Sequence, residues 1–382
     1  MLYPIRNQYR DFIDLSGIWS FCLDPDDQGI RQSWFTTPPA CGHIAVPGSW
    51  NEQIPGADQH FAPAWYFLNT VLPAGWKGRR WFIRIGSANY HATVWVNGRV
   101  LGSHEGGHLP FGFELPSRTE AGSPLLIAIR VENLPKPERV PPGEVKNAMN
   151  LLLGGHPNVS YDFFPYCGLH RPVLLEALPD SRIASLQVRT DIEAATGLVS
   201  IQIKVKGQAR AGRVSILPPV GQGNTQPAPL AQGDLVFDGK TASARLTVAD
   251  ARFWCPDDPC LYQAQIRLEE DGRTVDEYTL DFGIRTIRVE GSRLLLNGQP
   301  IRLRGFGRHE DFAVSGRGQN LPVMIRDHEL LKWTGANSFR TSHYPYSEEE
   351  MRLADRTGIL IIDEIPAVGI GFGDPKKLRG PR

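Results

Sequence analysis

The chain has 382 residues, 41% of them apolar, enough for two or three domains with ordinary cores. Its 41 Lys and Arg balance 41 Asp and Glu, so net charge does not draw it to nucleic acid or to an anionic membrane. The 39 Gly, 31 Pro and 9 Trp point to many short segments joined by turns, and hence to β-rich architecture.

The first residues, MLYPIRNQYRDFIDLSG, hold no apolar core and no small-residue cleavage site, so no secretory signal is expected. No run approaches ~20 apolar residues, so no membrane span is expected either. Cys22, Cys41, Cys167, Cys255 and Cys260 include no C-x-x-C pair. They are expected to be free thiols in a reducing cytoplasm, with no bridge assigned between Cys255 and Cys260.

GIWSFCL (17–23) and RWFIRIG (80–86) read as strands. ATVWVNGRVLG (92–102) reads as a hairpin, because Asn97-Gly98 suits a type I′ turn. No helix of ordinary length interrupts residues 1–180, which predicts a jelly-roll β-sandwich. Residues 134–170 form a long loop, and its aromatic second half, SYDFFPYCGLHRP, argues against disorder.

Residues 181–285 alternate apolar and polar side chains over 198–205, 243–248, 262–269 and 274–283. About seven short strands in this length predict an immunoglobulin-like β-sandwich. The pattern then changes. After an Asn-Gly hairpin in SRLLLNGQPIRLRG, a strand is expected over IRLRGF (301–306), and Asn320-Leu321-Pro322 opens a helix stopped by Gly335. NSFRTS is a second strand. Ser347 and Glu350 form a capping box, with Tyr346 and Met351 at the staple positions, and that helix stops at Gly358. ILIID (359–363) is a third, buried strand. This β-α-β-α-β order over residues 286–369 is the start of a TIM (β/α)8 barrel or of another parallel-sheet domain.

Polar clusters follow each of the three strands: His309, Glu310 and Asp311; Arg340, His343 and Tyr344; Asp363 and Glu364. Barrel enzymes carry their chemistry at such strand ends, so a binding or catalytic face is expected here. Adjacent residues on a strand face opposite ways, so Asp363 and Glu364 are expected to support the site from its second layer rather than to flank one bond. No metal is expected, since no His pair sits at ligand spacing.

NSFRTSHYPYSEEEMRLADRTGILII (337–362) resembles the signature of glycoside hydrolase family 2. GFGRHED (305–311) and YDFFPYCGLHRP (161–172) narrow the likeness to the β-glucuronidase branch, although Pro165 and Cys167 depart from the residues common there. WCPDDPCLY (254–262) and FGIRTI (282–287) also resemble family landmarks. The resemblance implies a jelly-roll sugar-binding domain, an immunoglobulin-like domain and the start of a TIM barrel. It implies a retaining exo-β-glycosidase acting on β-D-glucuronides without a cofactor, with a homo-oligomer as one arrangement the family allows. A β-galactosidase or β-mannosidase of the same family, or a non-catalytic carbohydrate-binding fragment, are the alternatives.

Carried over by position, Asp162 and His343 match sugar-contacting residues, His309 faces the same pocket, and Arg340 steadies the nucleophile. The resemblance also implies an acid Glu that follows an Asn in the barrel, a later nucleophilic Glu and an Asn-x-Lys motif that reads the glucuronate carboxylate. The chain's one Asn-Glu pair, Asn51-Glu52, lies in the first β region. The chain is therefore expected to be truncated within the barrel, to lack acid and nucleophile, and to be inactive alone. Residues 370–382, rich in Gly, Pro and basic side chains, are expected to form a disordered tail.

Overall fold

Alternating apolar side chains build two β-sandwiches in succession, and a short α/β segment packs across both. The computed structural model describes residues 1–144, 158–159, 161–219 and 228–369. The expected tail over 370–382, part of the loop over 134–170 and part of the loop that starts at Gly221 lie outside these residues.

In the first sandwich a six-stranded antiparallel sheet runs in the order Gly42–Val46, Gly17–Leu23, Ala64–Val71, Pro124–Glu132, His91–Val96, Arg99–Glu105. The facing sheet centres on Gly168–Leu178 and Arg80–Asn89. Inward side chains, among them Trp19, Trp50, Tyr66, Ile83, Ile127 and Leu175, fill the space between them. The predicted hairpin turns at Asn97 and Gly98, whose φ values of 48° and 75° are those of a type I′ turn.

The thiol expectation fails at one pair, because Cys22 and Cys41 are disulfide-bonded. Antiparallel pairing sets Phe21 opposite Gly42, which brings the two neighbouring cysteines together with 5.2 Å between their Cα atoms. Nothing in their spacing signals this, since the strands are joined by a long excursion. Cys167, Cys255 and Cys260 are free.

Among the described residues the second sandwich has two four-stranded antiparallel sheets, eight strands where about seven were expected. Ile201, Ile203, Val214, Ile216, Ala264 and Ile266 form its centre. Arg10, from the first unit, makes a bidentate, buried contact with Asp276 of the second at 2.8 and 2.6 Å.

The last segment holds three parallel strands, β1 (Gly305–Arg308), β2 (Ser338–Thr341) and β3 (Leu360–Ile362), with β2 in the middle. Helix α1 (Leu321–Trp333) joins β1 to β2, and α2 (Glu348–Thr357) joins β2 to β3. The β1 strand is shorter than IRLRGF suggests. Ile301 N instead donates to Leu294 O of the preceding hairpin, and Ile301 and Leu303 pack against Trp254 of the second sandwich. Only half of the expected capping box forms. Ser347 Oγ accepts from Glu350 N at 3.1 Å. Ser347 N, however, donates to Glu310 at 2.9 Å, while Glu350 is drawn away to Arg308 at 2.5 Å and His328 at 2.9 Å. Among the described residues the three strands do not close into a barrel.

This segment is held from two sides. Against the first sandwich, Ser49 N donates to Ser315 O at 3.0 Å, Gln319 N to His170 O at 2.8 Å, and Arg84 pairs with Glu348 at 2.5 Å. Against the second, Trp254 Nε1 donates to Asp355 O at 2.7 Å. The α2 helix ends at Gly358, whose φ is 76° and whose missing Cβ would lie 2.2 Å from Pro256 O.

Two outcomes follow from these seams. Gly335, which follows α1, has the same φ of 76° but open space around it. Gly335→Ala should cost about 1 kcal/mol from backbone conformation alone. Gly358→Ala adds a clash with backbone and should cost about 2–4 kcal/mol. Equal losses in urea unfolding would show that the Pro256 contact is absent. His108 and His170 are both buried in the first seam, and burial, with Arg317 and Arg171 adding, holds both rings well below the ordinary histidine value. Above about pH 6.5 neither state takes up these protons; below it the unfolded chain does and the folded chain does not. Stability should therefore fall by about 1–3 kcal/mol between pH 7.5 and 5.5. Unfolding free energies that hold level or rise over this range would contradict neutral histidines in the seam.

Candidate active site

The three strand ends and one loop of the first sandwich converge. The loop is the aromatic run Tyr161–Tyr166, which backbone carbonyl contacts tie down: Asn133 Nδ2 donates to Pro165 O at 2.9 Å and Asn89 Nδ2 to Tyr166 O at 2.6 Å. So anchored, the loop carries Phe163 onto the strand ends. Its ring lies 5.6 Å from His309, 6.3 Å from His343 and 5.3 Å from Tyr344. Tyr344 is fully buried, stacks on His108 at 4.8 Å and takes Arg317 on its face at 4.1 Å. The segment's small core thus continues into the first unit.

His343 is the hub. Its Nε2 lies 3.2 Å from Asp162, whose side chain is 75% exposed. Its Nδ1 lies 3.3 Å from Glu364 and 3.0 Å from Arg340. Arg340 and Glu364 form a direct, charge-assisted pair. Burial pulls the Glu364 carboxyl upward, but the hydrogen bonds from Arg340 and His343 more than offset it and hold it below the usual carboxylate range. His309 Nδ1 meets Tyr344 OH at 3.2 Å. Burial lowers its proton affinity below that of an ordinary histidine.

Asp162, His343, His309, Arg340, Asp363 and Glu364, all named from sequence as site residues, gather here. Asp162, His343, Arg340 and Glu364 form one polar chain, and His309 joins through ring contact with His343 at 5.6 Å. Asp363 attaches through Thr341, whose hydroxyl donates to it at 3.0 Å and accepts from Glu364 N at 2.9 Å. Both lie just beyond β3, and they go to different neighbours on β2: Asp363 meets Thr341 and Glu364 meets Arg340. Asn51 and Glu52 are structural in the first sandwich: Asn51 accepts from Cys167 N at 2.8 Å, and Tyr166 OH donates to Glu52 at 3.1 Å.

Sequence reasoning passed over Phe163, Arg317, His108 and Arg171, which forms a buried pair with Glu310 at 3.1 Å. The aromatic run in the loop was the one available signal for Phe163. The others sit in unrelated stretches that only the fold brings together.

The arrangement offers a polar face with a carboxylate–imidazole–carboxylate row, backed by aromatic rings. Such a face can accept and donate hydrogen bonds to a polyhydroxylated ligand. Three family models match in succession: the sugar binding domain of glycosyl hydrolases family 2 over residues 12–179, glycosyl hydrolases family 2 over 181–285, and the family's TIM barrel domain over 287–379. The chain is 38% identical to a β-glucuronidase from Paenibacillus borealis, over 97% of this chain and 62% of that protein. It is also 38% identical to the β-glucuronidase of Canis lupus familiaris, over 97% and 59%. A solved β-glucuronidase from Ruminococcus gnavus, in complex with D-glucuronic acid, superposes with a TM-score of 0.89 at 36% identity, covering 97% of this chain and 62% of that one. The chain thus spans about 60% of the length of these relatives, and with successive matches from residue 12 to residue 379 it belongs to glycosyl hydrolase family 2.

Proposed function

We propose that the chain is the sugar-holding portion of a retaining exo-β-glycosidase that acts on β-D-glucuronides. The observation that carries this reading is the meeting of Asp162, from the first sandwich, with His343 at the end of β2, 3.2 Å apart. A carboxylate and an imidazole from separate domains form one edge at which a pyranose ring can be gripped by adjacent hydroxyls. The β-glucuronidases named above, and the glucuronic acid in the Ruminococcus gnavus complex, favour a glucuronide over a galactoside or mannoside.

On this reading Asp162 accepts from sugar hydroxyls, and His343 orients against them with its Nδ1 donating to Glu364, which Arg340 in turn holds. His309 closes the same side of the pocket. Arg340 presents a permanent positive charge where a nucleophilic carboxylate must stay ionised. Asp363 and Glu364 keep Thr341, Arg340 and His343 in place. Retaining hydrolysis further needs an acid and a nucleophile about 5–5.5 Å apart. Glu364 serves neither role, because its carboxylate is held by Arg340 and His343, and Glu52 lies in the first sandwich.

The 382-residue chain by itself should therefore show no turnover of an aryl β-glucuronide. When the chain is extended by the remainder of a relative's barrel so that turnover is measurable, Asp162→Ala and His343→Ala should each lower kcat/KM by about one to three orders of magnitude, the loss of a buried hydrogen bond to the sugar. Turnover by the 382-residue chain free of host enzyme would defeat the assignment of Glu364 to support. Unchanged kinetics in both variants would defeat the sugar contact.

A further inference from the structure

A cavity of about 220 Å³ lies away from the polar face, where the two sandwiches and the N-terminal segment meet. Its walls are largely apolar, with Phe82, Leu178 and Ile183 among them. Two oppositely charged side chains from different domains also open into it, Glu176 from the first sandwich and Arg182 from the first strand of the second. They are 5% and 7% exposed. Glu176 accepts no hydrogen bond and has no cation within ion-pair distance among the described residues, yet its oxygens are not sealed off and keep surface toward the cavity. Arg182 has no carboxylate within that distance either. Its Nη1 donates to Pro179 O and Asp180 O at 3.1 and 3.2 Å, which leaves Nε and Nη2 free on the cavity side. Burial raises the Glu176 carboxyl and lowers the Arg182 guanidinium, as it does for charges without a partner. The other charged groups are occupied or stand at the rim. Arg10 is held by Asp276 and Ile183 O, and Asp11 accepts from Trp76 Nε1 at 2.8 Å and meets Arg6 at 3.4 Å. Arg84, whose charge also reaches Glu176, is paired with Glu348 and donates to Leu2 O at 2.7 Å. Lys206 and Met1 are exposed at the edge, where water and salt screen them.

We propose that this cavity binds a small zwitterion whose ammonium and carboxylate stand at opposite ends of an apolar body, an ω-amino acid, with its ammonium on Glu176 and its carboxylate on Arg182. Each of these protein charges lacks the partner that a buried charge requires, and one ligand supplies both. Their placement sets the spacing. Phe82 is the cross-strand partner of Glu176, and the Arg182 guanidinium lies 5.1 Å over the Phe82 ring. The ring stands between the two charges and keeps them from pairing with each other. The ligand's own charges must therefore be parted by an apolar spacer that packs on the ring, rather than carried at one end. The volume agrees: at about 10–15 Å³ per water the space holds roughly 15–20 waters, room for an aliphatic chain of several carbons with water left at the rim. Since Glu176 and Arg182 belong to different domains, the occupant would tie the two sandwiches together beside the buried Arg10–Asp276 pair.

Calorimetric titration of the 382-residue chain near neutral pH and at fixed ionic strength tests this, with 6-aminohexanoate as the probe. Hexanoate lacks the ammonium, hexylamine lacks the carboxylate, and 2-aminohexanoate has the same atoms with both charges at one end. The probe should bind saturably, and each of the other three about tenfold more weakly or worse, since each forgoes one charge-assisted hydrogen bond. Glu176→Gln should bring 6-aminohexanoate down to the level of hexanoate, and Arg182→Gln down to the level of hexylamine. Should either variant fail to fold, the four-ligand comparison on the parent chain decides. No saturable binding of 6-aminohexanoate, equal binding of 2-aminohexanoate or of either one-ended analogue, or undiminished binding in either variant would each overturn the proposal.

Discussion

Everything at the candidate site depends on one contact between domains, the wedge that Phe163 drives between His309, His343 and Tyr344. Its ring touches three aromatic or imidazole rings on strand ends, and Arg317 lies over it from the other side. Ring pairs of this kind add about 0.5–1.5 kcal/mol each beyond the area they bury, and a desolvated guanidinium over a ring adds about 2 kcal/mol. Without the wedge, the contact with His343 alone would tie Asp162 to the barrel side, and the Asp162 side chain is mostly exposed. The jelly roll therefore takes part in the site: it supplies one wall.

That wall must be stiff to be useful. Buried amide-to-carbonyl hydrogen bonds from Asn133 and Asn89 fix the loop's far end, and Cys167 N is held by Asn51. The barrel side is stiffened by Glu350, which joins Arg308 to His328 beneath β1 and β2. Breaking such a buried network by removing one partner leaves an uncompensated charge, so its members act as a unit. Outward from the sheet the segment is much less covered. Phe306, Ile325, Trp333, Ile362 and Ile365 are all exposed, and among the described residues each outer strand of the three has an open backbone edge. The segment's order comes from the two sandwiches at its back rather than from a closed core of its own.

Much of this was legible in the sequence, for local reasons. Period-2 alternation marked the strands, and Asn-Gly marked two turns where φ is positive at both residues. Asn320, Ser347, Gly335 and Gly358 marked the helix ends, because capping depends on the cap residue itself. The polar chain was legible because its barrel residues follow strand ends in order, and the family pattern brought in Asp162. What escaped was everything set by packing across domains. Arg317, His108 and Arg171 look like ordinary surface residues in one dimension, and burial alone makes them matter. The Cys22–Cys41 bridge escaped because a strand register decides it. The capping box half failed because Glu350 found a buried arginine and histidine more favourable than a helix N-terminus, a competition no local pattern records.

The claim that Phe163 sets the two histidines can be read directly by magnetic resonance of the chain with labelled histidine. Phe163→Ala removes a ring 5.6 Å from His309 and 6.3 Å from His343, so both imidazoles should lose its ring-current shift. His43 and His60, which lie in the first sandwich on the Gly42–Val46 strand and beside Pro63, should stay where they are. Unmoved signals from His309 and His343 would contradict the docked loop, and with it the two-domain site.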